Sequence, residues 1–134
     1  MDERERVLGR FGGRVTPLAV APHVDERGRL VELDFAALPF PIRRAFTVTD
    51  VPAGTTRGGH SHRDGVQVLV CTAGRVDVEL RLGEERHELT LTPHTDGLCI
   101  AAGVWASQRY VEEGSSLLVV ASEAFDPSSY DDRG

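Results

Sequence analysis

The chain has 134 residues, 40% of them hydrophobic and 27% charged, with 21 acidic against 15 basic residues and a net charge of -6. That length suits one globular domain burying roughly two-thirds of its unfolded surface, and an acidic balance without a Lys/Arg stripe excludes nucleic acid as the main partner, while leaving arginines free to hold a small anion. No run approaches the roughly 18 apolar residues of a membrane span and no apolar leader opens the chain, so a cytoplasmic protein with no membrane partner is expected.

In chain order, MDERERVLGRFGG is charged and glycine-containing and predicts a flexible arm over residues 1–13, followed by a single domain over residues 14–134. RLVELDF alternates and puts Val31, Leu33 and Phe35 on one face of a half-buried strand. VQVLVC is a continuous apolar run, which suits a strand covered on both faces. RVDVELRL alternates through Val76, Val78, Leu80 and Leu82, and HELTLTP through Leu89 and Leu91. SSLLVVAS is a second continuous run, and DPSSYDD predicts one helical turn near the C-terminus, with YDDRG as a solvated end. Turn signals such as DERG, TAG, RLGEE and TPHTDG separate these runs at short intervals, the signature of an all-β sandwich or barrel. Cys71 and Cys99 lie in apolar stretches and read as buried thiols acting as small hydrophobes. His23, His87 and His94 lie in turn-like or charged contexts and read as solvated.

The chemistry gathers in residues 54–74, GTTRGGHSHRDGVQVLVCTAG. Residues two apart on a strand project to one face, so His60 and His62 point the same way. Gly54, His60, His62, Gln67 and Gly74 have the spacing of the first cupin motif, which this stretch resembles; in that superfamily two His and a Glu ligate a metal inside a small β-barrel. Here the acidic ligand's place holds Gln67, and the third His's place, in GLCIAAGVWA, holds Ala106. Two imidazoles and a weak amide fall short of the three or four ligands a divalent ion wants, which favours a site with no metal and no cofactor. Unligated imidazoles titrate near neutrality and can act as base and proton relay.

DERGRLVELDF, PFPIRRAF, RGGHSH, QVLVCTAG, GLCIAAGVW and LLVVASEAFDPSSYDD, in that order, resemble blocks of the sugar-nucleotide 3,4-ketoisomerases, cupins that act on dTDP-4-keto-6-deoxyglucose in deoxysugar biosynthesis. The resemblance runs from about Pro22 to Asp132. It implies a cupin-type small β-barrel or jelly roll, a thymidine-diphosphate keto sugar as small-molecule partner, and a homodimer that exchanges N-terminal strands. It implies that His62 is the base, His60 the proton relay and Arg57 an anchor for the sugar or diphosphate. Gln67 is a candidate for bonding a sugar hydroxyl, and Trp105 either stacks on the nucleotide base or packs in the core. One of Arg109 and Tyr110 is expected to face the pocket. The chain departs from the family in RRAFTVTD, where a tyrosine is usual and Phe46 stands, and in VWA, where the family has VWH. Other readings are 3- or 5-epimerisation of the same keto sugar, a non-catalytic cupin that binds a sugar nucleotide, and a metal cupin using the two histidines plus water.

Overall fold

The structure, a computed structural model, describes residues 11–38 and 40–131. Residues 1–10 of the arm expected over 1–13 therefore lie outside the described residues. Phe11–Gly13 form a short 3-10 turn in which Phe11 is fully buried and its N–H donates to Glu85 Oε2 at 2.8 Å, so these three residues pack on the domain.

The strands run β1 Val15–Leu18, β2 Ala21–Asp25, β3 Gly28–Glu32, β4 Arg44–Val48, β5 Thr55–His62 and β6 Val66–Ala73. They continue as β7 Val76–Leu82, β8 Glu85–Leu91, β9 Gly97–Ala101, β10 Trp105–Tyr110, β11 Ser116–Ala121 and β12 Tyr130–Asp131. Two five-stranded sheets form, in the orders β1-β9-β6-β11-β4 and β12-β5-β10-β7-β8, and β2 with β3 makes a separate hairpin. Every pairing is antiparallel, and the two sheets form the expected jelly roll.

The apolar alternation places the core. Val76, Val78 and Leu80 of β7 and Leu89 and Leu91 of β8 face the space between the sheets, where Leu69, Cys71, Leu117 and Val119 meet them from β6 and β11. The other faces of β6 and β11 are covered too. Val68, Val70 and Val120 join a second cluster with Leu18, Val20, Leu33, Phe40 and Ile42 from the N-terminal third of the chain. That second layer is why VQVLVC and LLVVA read as continuous apolar runs.

RLVELDF departs from expectation. Strand β3 ends at Glu32, and Asp34 Oδ1 accepts from the Ala36 N–H at 2.9 Å, which turns the chain into a 3-10 turn at Phe35–Ala37. Only Leu33 packs on the second cluster, while Phe35 is 52% exposed and Val31 38%. The hairpin also exposes Val24 and Leu30. The C-terminal turn forms as expected at Pro127–Ser129, capped by Asp126, whose side chain accepts from the Ser128 N–H at 3.0 Å. No helix among the described residues is long and apolar enough to cross a membrane.

Candidate active site

A cavity of about 220 Å³ opens between the sheets, with an apolar floor that includes Leu69, Val104, Leu117 and Val119 and with Arg57, His60, His62 and Gln67 around it. The two histidines take their common face from the strand: His60 and His62 are alternate residues of β5, and their ring centroids lie 5.3 Å apart, nearly perpendicular. Arg57 is an odd number of residues from His60 and would face away on a regular strand. A β-bulge corrects this. His60 pairs with Ala106 and Gly58 with Ser107, then Arg57 pairs with Gln108, the register shifting between Ala106 and Ser107. Gly58 and Gly59 carry φ of 78° and 82°, a conformation glycine adopts without strain. The extra residue returns Arg57 to the face shared by His60, Ala106 and Gln108, all of which line the cavity.

His62 is half-buried, and burial, with lesser contributions from His60 and Arg44, pushes its imidazole pKa from 6.5 down to about 4, against a hydrogen bond to Gln67 that favours the charged form. At neutral pH the ring is therefore uncharged and can accept a proton. Its backbone carbonyl accepts from the Gly103 N–H at 2.8 Å, tying the end of β5 to the turn before β10. Gln67 thus stands beside the histidine pair as expected, and Ala106 leaves the neighbouring strand β10 without a third imidazole. Among the described residues no three His, Cys, Asp or Glu side chains gather as a metal site.

Of Arg109 and Tyr110, Tyr110 is the one that faces the cavity; it is 1% exposed, and burial raises its phenol to about 12. Trp105 is not brought to the cavity. It falls half-buried on the other face of β10, outside both core clusters, with the Arg81 guanidinium 4.4 Å from its ring centroid. His87, read as solvated, is half-buried on β8 opposite Leu80, while exposed His94 meets Arg29 at 3.2 Å. Cys71 is buried, Cys99 partly so, and both thiols are free; burial raises both pKa values.

Phe46, of the RRAFTVTD stretch, lines the cavity, and the Arg44 guanidinium sits 4.9 Å from its ring centroid. The sequence reading missed a tyrosine that arrives from elsewhere. Tyr130, assigned to a solvated end, pairs with His62 across β12 and β5 and lines the cavity. Its ring stacks on His60 with centroids 4.5 Å apart and 21° between planes, and it meets His62 at 4.6 Å and 75°. Arg44 Nη2 donates to its hydroxyl at 3.4 Å. The sequence holds one faint sign of this: Asp126 and Pro127 begin a capped turn that can fold the tail back.

Residues 15–132 match the family described as FdtA: WxcM-like, C-terminal. The chain is 32% identical over 108 residues to the TDP-4-oxo-6-deoxy-alpha-D-glucose-3,4-oxoisomerase of Aneurinibacillus thermoaerophilus, covering 80% of this chain and 78% of that protein. Its fold superposes with a TM-score of 0.84 on a mutant of the 3,4-ketoisomerase QdtA from Thermoanaerobacterium thermosaccharolyticum solved with TDP-4-keto-6-deoxyglucose, at 32% identity and over 90% of this chain and 88% of that one. The WlaRB TDP-quinovose 3,4-ketoisomerase of Campylobacter jejuni gives a TM-score of 0.81 at 29% identity, over 89% and 92% of the two chains. The histidine pair, its jelly roll and a match over nearly the whole sequence agree: the chain belongs to the FdtA, WxcM-like C-terminal family of cupin-fold proteins.

Proposed function

We propose that the protein is a metal-independent isomerase that moves the ketone of a TDP-4-keto-6-deoxyhexose from C4 to C3. The observation that carries this reading is the convergence of His60, His62 and Arg57 on one wall of a cavity between the sheets, in a chain similar to the oxoisomerase of A. thermoaerophilus. The C3 proton is acidified by the neighbouring C4 carbonyl. His62, neutral at working pH, takes that proton; the C3–H electrons form the C3=C4 double bond and the carbonyl oxygen becomes the enediol hydroxyl. The C3 hydroxyl then gives up its proton as C3=O forms, and C4 is protonated, so nothing is gained or lost overall. His60, in ring contact with His62, relays the proton between the two carbons. Arg57 holds the sugar or diphosphate, and Gln67 bonds a sugar hydroxyl. A bound diphosphate favours the imidazolium and draws the His62 pKa back toward neutrality, which makes the base stronger when substrate is present.

The test is incubation with TDP-4-keto-6-deoxyglucose in deuterated water, followed by NMR of the sugar. The 3-keto product with deuterium at C4 is expected. Deuterium at C3 or C5 with inverted configuration would instead assign an epimerase, and saturable binding without exchange a non-catalytic sugar-nucleotide binder.

A homodimer in the cytoplasm completes the reading. Its support is the β2–β3 hairpin, which forms a sheet of its own and turns Val24 and Leu30 outward at 68% and 59% exposure. Leu30→Asp should shift the mass measured by light scattering from dimer to monomer; a wild-type monomer at micromolar concentration would refute the assembly.

A further inference from the structure

The C-terminal segment is attached to the site at several points. The Arg63 N–H donates to the Ser129 carbonyl at 2.8 Å, and Ser61 Oγ donates to the Asp131 carbonyl at 3.3 Å. Tyr130 pairs with His62 and Asp131 with Ser61, extending the second sheet by one short strand beside the catalytic pair. Between these anchors the Tyr130 ring covers one imidazole face to face and meets the other near a right angle, at centroid distances of 4.5 and 4.6 Å. The same ring stands between two spaces: it lines the cavity already described and a second one of about 220 Å³, which shares His62, Gly65 and Gln67 with the first.

From this geometry we infer that Tyr130 is a positioning residue: its ring, carried in by β12, fixes the relative orientation of His60 and His62 and stands between His60 and the second cavity, which His62 lines. The inference rests on the isomerase reading only for its kinetic consequence. Ring contacts restrict rotation of an imidazole about its side-chain bonds, and a proton relay between two rings needs both held at one angle. An aromatic face supplies that constraint, through stacking on His60 and a near-perpendicular contact with His62. It also removes water from one side of His62, which disfavours the charged ring and so adds to the burial that lowers its pKa. The hydroxyl serves differently, accepting from Arg44 Nη2 and so fixing the ring's far end.

The groups that set the charge around His62 come from several elements. His60 lies on its own strand, Arg44 on β4 and Tyr130 on β12, while Gln67 of β6 supplies the hydrogen bond. Along the second cavity stand Arg43, Asp64, Glu123 and Asp126. Replacing Tyr130 by an uncharged residue leaves all the other charges in place, so a change in His62 titration then reports the loss of the ring.

The experiment compares Tyr130→Phe with Tyr130→Leu and Tyr130→Val in the full chain without ligand, following the imidazole midpoints by NMR. Leu and Val keep strand propensity, and the amide signals of β5 and β12 report that the pairing survives. Phe should leave the His62 midpoint within about 0.3 of a unit of wild type, while Leu and Val should raise it by about one unit, toward the value of a solvated histidine. With the keto sugar as substrate, Leu and Val should lower kcat by about 10-fold to 100-fold with KM changed less than about threefold, and Phe should stay near wild type. An unchanged His62 midpoint in both Leu and Val overturns the proposal, as does a Phe variant as impaired as Leu, because the hydroxyl would then be the active part. A wild-type chain that turns over no keto sugar while the midpoints separate as stated would refute the isomerase reading and leave the positioning role standing.

Discussion

Along β7 the inward residues Val76, Val78 and Leu80 are aliphatic and fully buried, whereas along β5 the inward positions carry Arg57, His60 and His62, part-open to solvent. The first wall is made by one strand with strict alternation; its partners in the core are interchangeable hydrophobes. The second is assembled from four elements. β5 supplies the ionisable groups, β6 the amide of Gln67, β4 the Arg44 guanidinium and β12 the ring of Tyr130. The difference shows stability and chemistry carried on two strands of one sheet, β7 in the closed core and β5 at the cavity, so that substitutions on each strand should separate the two properties.

The sharpest separation should come from His62→Asn. Loss of the base should lower kcat by about two to four orders of magnitude, with the thermal midpoint moved by only a few degrees; a kcat within about threefold of wild type would take the base assignment away from His62. On β7, Leu80→Ala empties a fully buried site and should cost about 2–5 kcal/mol in denaturant unfolding. Its kcat per folded molecule should remain within about twofold of wild type, and a larger loss would mean that the two walls are mechanically coupled.

A third substitution lies at the seam. Gly58→Ala introduces a Cβ at φ +78°, built 2.5 Å from Gln108 Oε1, a side-chain end that can shift. Backbone strain should cost about 1–2 kcal/mol, and displacement of the bulge should raise KM more than it lowers kcat, because Arg57 anchors substrate; an unchanged KM would count against that anchor. The smallest effect concerns pH. Between about 4 and 6.5 the unfolded chain protonates His62 and the folded chain does not, so stability should fall as pH is lowered through that window. In His62→Asn the thermal midpoint should depend less steeply on pH across the same range, and identical slopes would show that His62 is not held neutral.

The first wall was legible in the sequence and the second only in part. Val76, Val78, Leu80, Leu89 and Leu91 are placed by alternation alone, which needs no knowledge of the partner strand. The histidine pair is equally local. Arg57 reaches the same face through a bulge whose register is set by β10, where Ser107 pairs with Gly58, 49 positions earlier. Tyr130 enters by pairing with a residue 68 positions earlier, and no periodicity in a two-residue strand announces such a contact. Trp105 was drawn toward the pocket by its glycine neighbour, and the parity of β10 puts it on the other side. RLVELDF carries the apolar pattern of a buried strand, but β3 ends at Glu32 and only Leu33 packs on a core cluster, which is why the pattern misplaced Val31 and Phe35.

The bulge at Gly58 and Gly59 makes β5 a strand with two phases. Upstream of it odd-numbered residues look into the cavity, and downstream even-numbered ones do. Straightening β5 at its present length, with both positions 58 and 59 paired, would turn the arginine outward and a threonine inward, exchanging a cation for a hydroxyl at the cavity wall. Loss of the bulge alone can therefore rewrite what the cavity recognises without touching either histidine.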